Sequence, residues 1–229
     1  MLDLLLHIVY VLSSWRFGVL FAFLVGPIVA GLLIGRLLPR GWPRRVSGLL
    51  AVLLGGYALL NVVFGPDVST RLVYRFGETG EATITGSYGT STQYNDRAVV
   101  GHRVLLRAAD GRTVETSFED DDFNVYPPRN ATIYPGQGDR FTVRYLSRFP
   151  QDFVIVSNDD SPWAQSLRCN ALMAGMAGAR AKYQFAPTTE AYRVDYVNAL
   201  EAVMKAKCGG DGLARALRIE RDRVEAGRP

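Results

Sequence analysis

The chain has 229 residues, of which 26 are basic and 22 acidic, with two histidines and two cysteines. Its first 65 residues hold five arginines and one acid, Asp3, so the formal net charge of +4 resides there; the remainder, with 21 basic and 21 acidic residues, carries none. A soluble part without a net field, and positive charge placed beside apolar runs, exclude a nucleic-acid-binding protein, and two histidines are too few for a His-rich metal centre.

Two 19-residue stretches lack charge, from Phe17 to Gly35 and from Val46 to Phe64. At about 1.5 Å rise per residue each nearly matches a hydrocarbon core of about 30 Å. Transmembrane helices are therefore predicted over residues 17–38 and 46–65 of a membrane anchor spanning 1–65. No Lys or Arg precedes Arg16, which argues against a signal peptide. Residues 2–12, apolar except for Asp3 and His7, either lie on the membrane surface or lengthen the first span; lengthening is the expectation. The connection between the spans holds Arg36, Arg40, Arg44 and Arg45, which resist translocation and hold it in the cytoplasm. Both termini and the soluble part then face the periplasm of a bacterial inner membrane. Gly31 and Gly35 have the small-xxx-small spacing that lets helix backbones approach, either in a homo-oligomer or against the second span. Membrane lipid is an expected partner of this segment.

Beyond Pro66 the pattern changes to short alternating segments punctuated by Gly, Asp and Pro, which predicts a small antiparallel β domain over 66–160. Strands are expected at 81–85, 99–108, 113–118, 141–145 and 153–156, with Asp110-Gly111 as a hairpin turn and 86–97 as a loop or an extended arm. Five or six short strands close most economically as a barrel or sandwich. Glu119, Asp120, Asp121 and Asp122 form an acidic cluster beside the aromatic Phe123 and Tyr126. Neighbours on an extended chain alternate sides, so the run reads as a solvated acidic turn or a docking patch for a basic partner in preference to a calcium or acid/base site. No metal and no cofactor is expected.

The segments Gly80-Glu-Ala-Thr-Ile-Thr-Gly86, Asp110-Gly-Arg-Thr-Val-Glu-Thr116 and Gly138-Asp-Arg-Phe-Thr-Val-Arg-Tyr145, followed by Pro150 and Phe153-Val-Ile155, carry a resemblance. Over residues 78–157 the chain resembles domain of unknown function 3592, which implies a small β-barrel-like domain held outside the bilayer by one or two membrane helices. The resemblance implies no catalytic residue.

A C-terminal helical hairpin is predicted over 161–229. Ser161-Pro162 starts a helix to about residue 182 whose packing face is Leu167, Ala171, Ala174, Gly178 and Ala181. After Pro187 a second helix repeats Tyr192, Tyr196, Leu200, Val203 and Met204, and Gly209-Gly210 ends it. A third stretch, 213–224, is charged nearly all round and is expected to be solvated. Cys169 lies about 24 Å and Cys208 about 28 Å along their helices from the connection, level enough for a disulfide. The fold class is membrane α+β. The expected function is a non-enzymatic inner-membrane protein presenting these parts to another envelope or secreted protein. The alternatives are a periplasmic immunity-type protein that neutralises a toxin, and an envelope hydrolase using the acidic cluster; His102, alone on a strand, is expected to be structural.

Overall fold

A computed structural model describes residues 2–37, 42–94, 96–130 and 133–226. The described residues form six α-helices: α1 (Leu2–Ser14), α2 (Arg16–Leu37), α3 (Trp42–Phe76), α4 (Pro162–Phe185), α5 (Glu190–Lys205) and α6 (Gly210–Glu225). One six-stranded sheet lies between α3 and α4: β1 (Glu78–Tyr94), β2 (Arg97–Arg107), β3 (Thr113–Glu119), β4 (Val125–Tyr126), β5 (Arg140–Leu146) and β6 (Phe149–Val156). Two compact units result, Met1–Asp159 and Asp160–Pro229.

Among the described residues α3 is the single helix long and apolar enough to cross a membrane, over Val52–Phe76; α1 with the first half of α2 meets that criterion only as a bent pair. The two meet at 93°. Residues 2–12 therefore do not lengthen α2, contrary to the expectation, and packing supplies the reason. Leu6 is buried with Val73 of α3 and with Leu146 and Val154 of the sheet. The Tyr10 hydroxyl donates to the Phe153 carbonyl at 3.3 Å, and Asn61 of α3 donates to the Leu12 carbonyl at 2.7 Å. The opposite side of α1 leaves Leu4, Ile8 and Val11 exposed. Beside it α2 packs along α3, where the rings of Phe23 and Tyr57 lie 5.9 Å apart. Arg36, Arg44 and Arg45 fall near the facing ends of α2 and α3. Arg40, and the surroundings of Gly31 and Gly35, lie outside the described residues.

The strand order is β3-β2-β1-β5-β6-β4. Antiparallel pairs join all but the last, where Val125 and Tyr126 run parallel to Ile155 and Val156. The predicted barrel is thus not formed: the sheet is open and mixed. It curls enough for Phe118 of β3 to meet Phe153 of β6 edge-on at 6.1 Å, yet no ladder closes it. Pro127 and Pro128, which have no N–H to donate, end β4 after two residues and leave no strand able to seal the gap. Along β5 the inward residues Phe141, Val143 and Tyr145 alternate with partly exposed ones, whereas Phe153 to Val156 of β6 are all buried. That uninterrupted apolar run fits a strand covered on both faces, here by the curled sheet and by α1 with α3. Residues 86–94 extend β1 along β2, with register shifts between Ile84 and Gly86 and between Gly89 and Gln93, out to Tyr94 opposite Arg97. The β2–β3 turn holds Gly111 at φ +85°, a conformation that favours glycine.

In the C-terminal unit Ser161 caps α4 by accepting from the Ala164 N–H, with Pro162 in the first turn. The predicted disulfide between Cys169 and Cys208 is formed, with Cα atoms 5.5 Å apart. The packing face of α4 differs from expectation: Ala171, Ala174, Gly178 and Ala181 are exposed, and Leu172, Met173, Met176 and Tyr183 cover Tyr196, Leu200 and Val203 of α5. The larger side chains remove more apolar area from water than the small stripe beside them. The third stretch is also more than a solvated tail. Helix α6 buries Leu217 and Val224 in the same core, while Arg221, on the same face between them, lies near Glu201 of α5 and near Asp222 and Glu225.

Candidate functional site

The acidic run is a fixed turn at the end of edge strand β3. The Glu119 N–H donates to the Asp122 carboxylate at 2.8 Å, the Asp122 N–H donates to the Glu119 carbonyl at 3.0 Å, and the Asp120 N–H donates to the Val100 carbonyl at 3.1 Å. Phe123 follows at φ +52°, its N–H donating to the Tyr134 hydroxyl at 3.2 Å and its carbonyl accepting from Thr70 at 3.3 Å. Burial, then the Asp122, Asp120 and Asp121 carboxylates, push the Tyr134 phenol well above its ordinary pKa, so it stays neutral. The turn thus uses Asp122 to hold its own backbone. Among the described residues no three His, Cys, Asp or Glu side chains are grouped to hold a metal ion.

Asp120 is drawn elsewhere. His102 on β2 donates or accepts through Nε2 at 2.8 Å from the Asp120 carboxylate, and its Nδ1 lies 3.2 Å from the Ser87 hydroxyl on β1. With Nε2–H donating to a carboxylate, Nδ1 holds the lone pair that accepts from the serine. Register explains the placement: Ser87 pairs directly with His102, and His102 with Phe118, two residues before Asp120. The His102 ring also stacks on Phe118 at 4.8 Å. Hydroxyl, imidazole and carboxylate in series form the connectivity of an activated nucleophile. Sequence spacing did not reveal it, because Ser87 of β1, His102 of β2 and Asp120 in the turn after β3 meet only through the ladder.

The six predicted binding residues consequently divide between two places. Glu119 to Phe123 build the turn, whereas Tyr126 stacks on Tyr74 of α3 with centroids 3.8 Å apart. Tyr126 and Tyr74 line a groove of about 660 Å³ together with Arg71, Arg75 and Arg144. Arg144 is tied there by Nε to the Tyr74 carbonyl at 3.0 Å and by Nη1 to the Thr79 hydroxyl at 2.6 Å. Arg71 and Arg75 follow the second uncharged stretch in the sequence, but nothing in the sequence brings residue 144 to them.

Comparisons with family models, curated proteins and solved structures find no match to this chain.

Proposed function

We propose that this is a membrane-anchored binding protein of the bacterial envelope, in which α2 and α3 cross the inner membrane and the sheet and helical unit face the periplasm. Its task in this reading is to hold a basic, extended segment of another envelope or secreted protein along β3 and the acidic turn. The carrying observation is that β3 is an edge strand, with one side unpaired in the sheet order, and that it ends in a preformed acidic turn. An edge accepts an added strand through main-chain hydrogen bonds, and Glu115, Glu119 and Asp121 bias the choice toward positive partners. The arginines between the spans, the disulfide of an oxidising compartment and the resemblance to domain of unknown function 3592 support the orientation. A photo-reactive residue at Thr116, activated in intact cells, should capture one defined protein, and Glu119→Lys with Asp121→Lys should abolish capture. Capture unaffected by charge reversal refutes the docking mode. A cysteine placed at Gly41 should resist impermeant thiol reagents added from outside; labelling there reverses the orientation. Protection from a co-expressed toxin would make the captured partner a toxin and the chain an immunity-type protein.

A second reading is favoured by the Ser87–His102–Asp120 series: an envelope hydrolase that attacks an acyl group through the Ser87 oxygen, with His102 as base and Asp120 orienting it. A fluorophosphonate probe should then label the wild-type chain and neither Ser87→Ala nor His102→Gln. Equal labelling of all three, or of none, removes this reading.

A further inference from the structure

We infer that the groove between α3 and β5 receives the phosphate of an anionic phospholipid headgroup from the leaflet through which α3 emerges. This rests on the reading that α3 crosses the membrane and adds a ligand to it. Three arginines line the groove against one lining carboxylate, Asp159. Each arginine is held differently. Arg71 is paired with Asp67, one helical turn toward the membrane, at 3.0 Å. Arg144 spends Nε and Nη1 on a carbonyl and a hydroxyl, so among the described residues its charge has no carboxylate partner and Nη2 remains available. Arg75 makes only a ring contact, its guanidinium carbon 5.7 Å from the Phe76 centroid. Two guanidinium groups without carboxylate partners, converging on one concave site, match the fork geometry that recognises a phosphodiester. A volume of about 660 Å³ admits a headgroup, and the stacked Tyr74 and Tyr126 rings supply an apolar wall of the amphipathic kind found at membrane–water boundaries.

Height along α3 selects a lipid over a soluble anion. From position 45, at the cytoplasmic end, the helix rises about 39 Å to Arg71 and about 45 Å to Arg75. A bilayer with its headgroup regions is about 40–45 Å thick, so both side chains lie at the level of the far headgroups when Arg45 lies at the near ones. Helix α1 meets the first half of α2 at 93° and turns Leu4, Ile8 and Val11 outward, as a helix lying in that interface does.

The test uses the full-length chain in a neutral detergent, with bound lipid counted by native mass spectrometry during titration with phosphatidylglycerol or phosphatidylcholine. The wild type should prefer phosphatidylglycerol. Arg75→Gln and Arg144→Gln should each weaken its retention about fivefold, as expected for about 1 kcal/mol per arginine near an anionic headgroup. Arg107→Gln on β2, outside the groove, should leave retention unchanged. Because Arg144 also braces the backbone, Arg144→Lys serves as its folded counterpart and should retain part of the preference, whereas the Arg75 side chain makes no hydrogen bond among the described residues. Unchanged phosphatidylglycerol retention in Arg75→Gln and Arg144→Gln overturns the inference. Displacement of the lipid by millimolar inorganic phosphate also overturns it, since the occupant is then a soluble anion. Washing membranes with alkaline carbonate tests the anchoring separately: release of the chain defeats the membrane reading, whereas a retained chain without lipid selectivity defeats only the lipid site.

Discussion

Removing the Cys169–Cys208 bridge should loosen the helical unit by an amount set by the loop it closes. The two cysteines are 39 residues apart in sequence. In the chain-entropy description such a loop restricts the unfolded ensemble by about 4 kcal/mol at 25 °C, with about 3 to 4 kcal/mol expected once residual unfolded structure is allowed for. The bridge ties α4 near its start to the turn between α5 and α6, so its loss affects all three helices. The double variant Cys169→Ala/Cys208→Ala keeps an apolar residue at the buried Cys208 position and avoids stranding a hydroxyl there. Native-state hydrogen exchange read at Tyr196, Leu200 and Val203 should accelerate by roughly a hundredfold or more, while amides of β5 and β6 keep their rates, because they belong to the other compact unit. Acceleration below about threefold at those three residues would refute the loop-closure account. Equal acceleration in β5 and β6 would show that the two units do not open independently.

Asp152 sets a pH dependence in the α1 contact. Burial raises its pKa above the ordinary 3.8, and the hydrogen bond and charge of His7 only partly oppose this. A carboxyl whose folded pKa is raised binds its proton more tightly in the folded state. Stability is therefore full below the unfolded value and declines as pH rises from about 3.8 through the raised value. Asp152→Asn should flatten that decline, measured by urea unfolding of the detergent-solubilised chain between pH 4 and pH 7; an unchanged slope would exclude Asp152 as its source. Leu200, fully buried among α4, α5 and α6, should lose about 3 kcal/mol as Leu200→Ala. Exchange of the helical-unit amides checks it, and a change below about 1 kcal/mol would mean that the core collapses to fill the space.

The elements legible in the sequence were those fixed by local chemistry. The Asp-Gly turn needs its positive φ at Gly111, Ser161-Pro162 caps α4, and the two cysteines stand at similar heights on neighbouring helices, so each followed from a few adjacent residues. What misled was any choice between two acceptable faces. On α4 the small-residue stripe and the Leu-Met-Tyr stripe are both periodic, and only the apolar area offered by α5 and α6 decides between them. Residues 2–12 are apolar enough to continue a span, but His7, Tyr10 and Ser13 find their partners in Asp152, the Phe153 carbonyl and Ser69, contacts across more than fifty residues of sequence. Barrel closure failed for a similar reason: the strand count permits it, whereas β4 pairs with β6 over Val125 and Tyr126 alone, which only the tertiary placement of that segment decides. The candidate site was visible as composition, in the acidic run from Glu119 to Asp122. Its geometry was not, because Ser87, His102 and Asp120 are brought together by the pairing of β1, β2 and β3, and Arg75 and Arg144 by the packing of α3 against β5.

Helix α3 passes through Pro66 without ending and reaches Phe76, and β1 begins at Glu78. Gly77 alone stands between them, its N–H bonded to the Val73 carbonyl at 2.8 Å, and a side chain there would press within 2.7 Å of the Val73 and Tyr145 carbonyl oxygens. The sheet is thus mounted on a stiff post, without a tether to let it swing. In the membrane-anchored reading proposed above, the sheet's distance from the lipid surface and its compass bearing would be set by the tilt and rotation of that one helix. Any rocking of α3 would be relayed undamped to β1, in the interior of the sheet.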